Sequence, residues 1–501
     1  MNTHDATSPG TDRAKANTGK DNRRVRHIFL RVFAIVYATA FISFWVQSMG
    51  LIGADGIMPL AGSIPQFDGN TIGGQLPSVI DYPTVFRWIG PSDGAIHTVC
   101  ALGTILSICL LFGTYPRLCI ALLWVLYLSL FTVSRPFLGY QWDILLLEVS
   151  VLALLIVPAK THSGQALERW THRLSTWLVR VVLFKVMLSS GLVKLNSLDP
   201  TWQNLTALDF HFWTQPIPHQ LAWSIHHLGA QTRQLGVLVN HFIELAVPWL
   251  ILCSLSRRMT VVWLMLVVPI MLAYIGEYTL STVGFIAGIT LLLWLIERCQ
   301  NLPSNHCDWG RRAAGLSVIV LMVLVAGSGN YGFFNLLTIS MALLCFTDRD
   351  LRLFRGCSSS PERKTPLNSS RKLWLAVVLI VSGSLITLNT LNVTALFGRR
   401  VLNERQTSTA STDSPNYRLL SWVNTTSTQY RKHLGSLALV NGYGLFARMT
   451  TTRYELRLEG SMDGRTWIPY RFKYKPDDES DLHFAGLHMP RLDWQMWFAA
   501  L

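Results

Sequence analysis

The chain has 501 residues, half of them hydrophobic, with only 14% charged and a mean hydropathy of +0.32. A soluble globular protein carries about a quarter charged residues, so the deficit excludes an ordinary soluble enzyme and points to lipid as solvent. The formal net charge of +14 is spread as a topology signal rather than gathered into a nucleic-acid surface, and no nucleic-acid partner is expected.

Residues 1–27 are polar and carry Arg13, Lys15, Lys20, Arg23, Arg24 and Arg26, which reads as a disordered basic tail on the cytoplasmic side. The apolar run from Ile28 is too long for a signal peptide and closes on no small-residue cleavage site. Runs of membrane-helix character occupy 28–49, 95–113, 118–133, 143–158, 177–195, 237–255, 260–275, 279–297, 313–327, 331–346 and 373–395, with those at 118, 143, 313 and 331 the weakest. The expected fold is therefore mainly α: a polytopic transmembrane bundle of about 11 spans over residues 28–395, with large external loops at 50–94 and 196–236. Basic residues alternate with these spans. Arg117, Lys160, Arg169, Arg173, Arg257, Arg258, Arg298, Arg311 and Arg312 fall on the tail side, and only Arg87, Arg135 and Arg233 on the other. That places residues 396–501 externally, in the endoplasmic reticulum lumen of a eukaryote or the periplasm of a bacterium. "GEYTLSTVGF" from Gly276 and "GNYGFFNLLT" from Gly329 echo one another as tight external turns ahead of apolar helices.

The cysteines avoid the external segments, so no disulfide framework is expected there, and no Cys-x-x-Cys occurs. Cys299, His306 and Cys307 share a loop but supply too few ligands for a metal site, and no cofactor or metal is expected. Beyond the last span, "RYELRLEGS" and "WIPYRFKYK" alternate around the turn "MDGRT", which predicts a hairpin within a small β-rich domain over 396–501. Asn204 and Asn424 head glycosylation sequons.

The connector "KLNSLDPTWQNLTALDFHFWTQPIPH" (194–219) is aromatic and polar between two apolar stretches. Pro216 and Pro218 force an extended path, and Trp202, Phe210, Phe212, Trp213 and Trp223 suit an aromatic belt over the bundle mouth. Asn240 and Glu244 share one helix face with His241 beside them, and His211 and Gln215 lie near in sequence. A hydrogen-bonded packing network, a ligand cavity and a metal site are the three readings of that cluster. Lys194 reads as a snorkelling interface anchor, in which case Lys194→Ala is nearly silent. In "QWDILLLE", Asp143 and Glu148 are intramembrane acids that either line a cavity or pair with a base such as Lys194.

"SSGLVKL…DPTW…LTALDFHFWTQPIP…NHFIELAVPWL" resembles the core signature of the lipase maturation factor family. "NGYGLFARMTTTRYELRLEGSMDGRTWIPYRFKYKP" with "PRLDWQMWFAAL" resembles its C-terminal signature, which adds Arg491, Asp493 and Trp494 as client-binding or structural candidates beside Trp202, His211, Trp213, Gln215, Pro216, Asn240, His241 and Glu244. The resemblance extends from about Gly50 onward. Trp213 and the string His488, Met489, Pro490 depart from the usual pattern. Members usually continue past "WFAAL", so the domain ending at Leu501 is either shortened or truncated. The resemblance implies a non-enzymatic, chaperone-like membrane protein that acts on a secreted, lipase-like client. A shorter likeness, "GLVKLNSLDPTW" to the vitamin K-dependent γ-carboxylase, implies the alternative of a membrane enzyme with Lys194 as base and His241 or Glu244 nearby. A transporter is the third reading, on the intramembrane acids and the echoed helix pair.

Overall fold

The computed structural model describes residues 22–65, 78–157, 165–273, 280–299, 308–351, 380, 383–391, 394, 415–476 and 482–501. Apart from single-turn helices, its helices in chain order are α1 (Arg23–Ile52), α2 (Asp93–Leu111), α3 (Pro116–Val133), α4 (Gln141–Ile156), α5 (Gln165–Asn196), α6 (Ala207–Thr214) and α7 (Gln220–His226). They continue with α8 (Ala230–Leu252), α9 (Arg257–Ala273), α10 (Leu280–Cys299), α11 (Trp309–Ser328), α12 (Phe334–Leu343), α13 (Pro415–Leu434) and α14 (Arg491–Ala499).

Among the described residues six helices, α1, α2, α3, α8, α10 and α11, are long and apolar enough to cross a membrane, which corrects the expected eleven. The reason is length and charge. α4, α9 and α12 have 16, 17 and 10 residues, and at ~1.5 Å per residue each falls short of a ~30 Å hydrocarbon core. α5 is long but carries Arg180, Lys185 and Lys194. Most of 373–395, and residues 1–21 of the basic tail, lie outside the described residues. The chain is an integral membrane protein, and α9 shows why lipid is its solvent. Thr260, Trp263, Val267 and Met271 recur at helical spacing on its buried face, while Val261, Leu264, Met265 and Val268 are apolar and exposed on the other.

The two ends of the bundle differ chemically. At the end where α1 begins, Asp348 accepts from the Arg24 and Val25 amides (3.1 and 2.9 Å), neutralising the helix N-terminus. There Arg180 Nε donates to the Leu344 carbonyl (2.8 Å) and Arg117 Nη2 to that of Val157 (2.9 Å), so arginines close the opposing helix C-termini. At the far end, where α1 stops at Ile52, lie the connector 196–229 and the chain from Ala438 onward.

The expected β-rich domain is a second correction. Two strands of two residues each, β1 (Glu459–Gly460) and β2 (Ile468–Pro469), form the whole described sheet, in antiparallel register Glu459↔Pro469. The predicted Asp-Gly turn is present: Asp463 accepts from the Arg465 and Thr466 amides (2.8 and 2.7 Å), and Gly464 takes φ +69. Around it, however, the segment is helical at α13 and α14 or irregular, and several of its polar side chains, Asn441, Tyr443, Arg453 and Arg491 among them, bond to the bundle or the connector.

Candidate functional site

The acids expected inside the membrane domain are buried, and each meets a base. Asp143, in the first turn of α4, receives a bidentate pair from Arg491 of α14 (Nη1 to Oδ2 2.7 Å, Nη2 to Oδ1 2.8 Å), and Tyr127 Oη donates to the same carboxylate at 2.6 Å. Both charged side chains are 0% exposed. Five residues further along the helix, Glu148 accepts from Lys185 Nζ (2.6 Å), Tyr443 Oη (2.6 Å) and Asn441 (3.1 Å). Residues from Ala438 onward therefore satisfy acids of the membrane bundle. A buried carboxylate is costly unless paired and hydrogen-bonded, so this segment forms part of the bundle's own charge balance.

Lys194, at the end of α5, is buried beside Glu244 of α8, its Nζ 2.7 and 2.5 Å from the two carboxylate oxygens. It does not snorkel. The Trp202 ring lies 4.8 Å from the amine, and Trp202 Nε1 donates to the Phe446 carbonyl at 3.0 Å. The local sequence explains the approach of the two helices. Pro248 cannot donate to the Glu244 carbonyl, and the helix widens into a π-turn over Phe242–Ala246, in which the Val247 amide bonds Phe242 (3.1 Å). Gly191 faces that turn: a Cβ there would stand 2.5 Å from Leu245 Cδ2 and 3.1 Å from Glu244 Cβ. Gly191→Val is expected to push α5 away and lower stability by about 1–3 kcal/mol, read as a fall in the thermal midpoint of the detergent-solubilised protein.

The connector is held on both sides. Arg453 donates to the carbonyls of Trp213 (3.1 Å), Gln215 (2.5 Å) and Pro216 (3.2 Å), and Trp497 Nε1 to that of Thr214 (2.8 Å). Asp199 accepts from the Met449 amide (2.6 Å). From the bundle side, Gln215 Nε2 donates to the Ser328 carbonyl (2.8 Å), and Tyr331 Oη donates to Gln215 Oε1 (3.1 Å). Asn330 bridges the Ile217 and His483 carbonyls (3.1 and 2.9 Å). An edge-to-face series of rings, Trp142, Trp494, Tyr331, Phe446 and His211, joins the Asp143 pair to the Lys194 pair.

His211 Nε2 lies 3.1 Å from Tyr331 Oη, while its Nδ1 has no hydrogen-bond partner. Burial, with the Lys194 charge as the smaller cause, pushes its pKa from 6.5 down to about 4. The folded state thus keeps the ring neutral while the unfolded chain takes up a proton as pH falls through 6.5. Stability is complete above that pH and is lost as pH falls toward 4. The loss is at most ~3 kcal/mol, and solvent screening lowers it because the residue as a whole is half-buried. His211→Gln should remove that part of the pH dependence in thermal unfolding scans.

The structure thus brings Trp202, His211, Gln215, His241 and Glu244 together around Lys194 and Tyr331. His241 is fully buried, with Nε2 3.4 Å from the Trp202 carbonyl. Asn240 stands half-buried on the same helix, four residues before Glu244. Pro216 contributes a carbonyl. Trp213 is 37% exposed; its ring Nε1 donates within its own helix, to the Asp209 carbonyl, while its main-chain carbonyl takes the Arg453 bond. Arg491 and Trp494 belong instead to the Asp143 cluster, and Asp493 accepts from the Tyr474 and Lys475 amides (2.8 and 2.9 Å). Asp143 and Glu148 pair with Arg491 and Lys185, not with Lys194. Sequence reasoning missed Lys185, Asn441, Tyr443 and Arg453; a lone lysine inside the apolar "VVLFKVML" was the available signal for the first. Among the described residues no group of His, Cys, Asp and Glu is arranged to hold a metal. The turn at Gly276, together with His306, Cys307 and Cys357, lies outside the described residues.

Two family descriptions match the chain: the lipase maturation factor transmembrane domain over residues 24–297 and the lipase maturation factor C-terminal domain over 439–501. Lipase maturation factor 2 of chicken is 31% identical, covering 96% of this chain and 71% of the relative. The mouse protein of that name is 32% identical over 96% and 72%, and human lipase maturation factor 1 is 27% identical over 95% and 74%. No solved structure matches. With the expected signature residues standing together at one end of a membrane bundle, and with matches that run nearly its whole length, the chain belongs to the lipase maturation factor family.

Proposed function

We propose that this protein assists the folding or maturation of secreted, lipase-like proteins, holding the client at the bundle end formed by the connector and the residues from Ala438 onward. The relatives' name supplies the client class. The observation that carries the reading is the state of Lys194. Its amine is held by both oxygens of Glu244 and lies 4.8 Å from the Trp202 ring, so it is committed to a buried ion pair that joins two helices. Orientation follows from charge. Arg23, Arg117, Arg180 and Arg311 gather at the end where α1 starts, which favours a cytoplasmic N-terminus and an external C-terminal segment. In a eukaryote the external face is the lumen of the endoplasmic reticulum.

The test is co-expression with a secreted lipase in cells that lack their own maturation factor. Secreted lipase activity is expected to rise with this chain and to stay at background without it; equal activity in both would refute the proposal. In sealed membranes, protease applied to the cytosolic face is expected to leave residues 439–501 intact, and their digestion would remove the proposed meeting place with exported proteins.

A further inference from the structure

The hairpin around β1 and β2 is amphipathic, and its apolar face is uncovered. From the register, Leu456, Leu458, Ile468 and Tyr470 share one face, and they are 43, 54, 66 and 62% exposed. Arg457, Glu459, Arg471 and Lys473 share the other. The hairpin's carboxylates are all engaged internally: Glu455 by Arg453 and Lys475, Glu459 by Arg457, and Asp463 by its own turn. Arg471, by contrast, has no carboxylate partner among the described residues. Among the described residues the edge of the second strand is closed at Tyr474 and Lys475, where Asp493 takes the amides, and Pro469 offers it a carbonyl but no amide hydrogen. Tyr470 spends its amide on the Leu458 carbonyl (2.8 Å), so the neighbouring Arg471 amide points to the open side and carries no hydrogen bond among the described residues.

We infer that this open edge, from the Pro469 carbonyl to Lys473 with its outward amides at Arg471 and Lys473, binds an extended segment of the secreted client as an added strand. The segment it fits is apolar at alternate residues, to continue the Leu458, Ile468 and Tyr470 face, and acidic between them, to meet Arg471 and Lys473. Unpaired strand edges accept a further strand through main-chain bonds, with side-chain alternation setting specificity. This rests on the proposed client role and adds to it where and how the client is held.

The experiment uses the full chain in membranes with a secreted lipase as the client. Tyr470→p-benzoylphenylalanine is expected to give a photoadduct with the lipase that maps to a segment of alternating apolar and acidic residues. Arg471→Glu is expected to lower co-purified lipase about tenfold while Arg471→Lys keeps it, with the thermal midpoint unchanged in both. Undiminished lipase recovery with Arg471→Glu, or a photoadduct to a second copy of the chain or to lipid instead of lipase, overturns the inference while leaving the client role standing. If the unsubstituted chain neither co-purifies lipase nor raises its activity, the client role itself fails, and the inference with it.

Discussion

Replacing Arg491 with Met is expected to cost about 3–5 kcal/mol, because it leaves the Asp143 carboxylate buried with no countercharge. Nothing near it can substitute. Tyr127 Oη already donates to Oδ1, the Tyr140 hydroxyl donates to Gln495 Oε1, and among the described residues Arg491 is the cation paired with this carboxylate. The loss should appear as undocking of α14, since its remaining polar ties to the bundle include single bonds such as Gln47 Oε1 accepting from the Arg491 amide (2.8 Å). The discriminating variant is Arg491→Met with Asp143→Asn, which removes both charges and keeps an acceptor for Tyr127. Buried pairs replaced on both sides are often nearly neutral, so the double variant should recover most of the single variant's loss. Thermal midpoints of the wild type, both singles and the double close the cycle. A single Arg491→Met variant that melts with the wild type would show that the C-terminal segment is not anchored by this pair.

The membrane character of the chain was legible from composition, and the signature residues from motif. The count of spans was overread because short apolar runs were counted as crossings: the runs at 143–158 and 331–346 were already among the weakest, and their helices stop after 16 and 10 residues. The hairpin was read correctly at its turn and too generously beyond it. Alternation in "RYELRL" and "RFKYK" predicts which face is apolar, whereas the extent of a sheet depends on partners that local sequence does not name. The pairing of charges was least legible. Asp143 and Arg491 are 348 residues apart, Glu148 and Tyr443 are 295 apart, and no periodicity connects such positions. Lys194 and Glu244 stood together in the sequence only under the carboxylase-like reading, and otherwise as an anchor and a helix-face acid. Gly191 and the Pro248 π-turn make them one, and neither signal has meaning until the two helices are side by side.

Lys194→Ala is accordingly expected to be severe, not silent. An anchoring lysine at the membrane interface loses little when truncated, but here Glu244, 6% exposed, would be left charged beneath Trp202. A loss of about 3–5 kcal/mol is expected, together with a fall in folded protein that would look like loss of function under any mechanism. The single variant therefore cannot separate an assembly factor from an enzyme that uses Lys194 as a base. Lys194→Met combined with Glu244→Gln does so, because the isolated charge is gone while the stem of the lysine and the amide of the glutamine still fill the space under the indole. If the pair only holds α5 against the π-turn of α8, the double variant recovers the thermal midpoint and still supports secretion of active lipase. If the amine takes a proton during turnover, the double variant folds and supports none, so the decisive measurement is lipase activity per folded molecule rather than lipase activity alone.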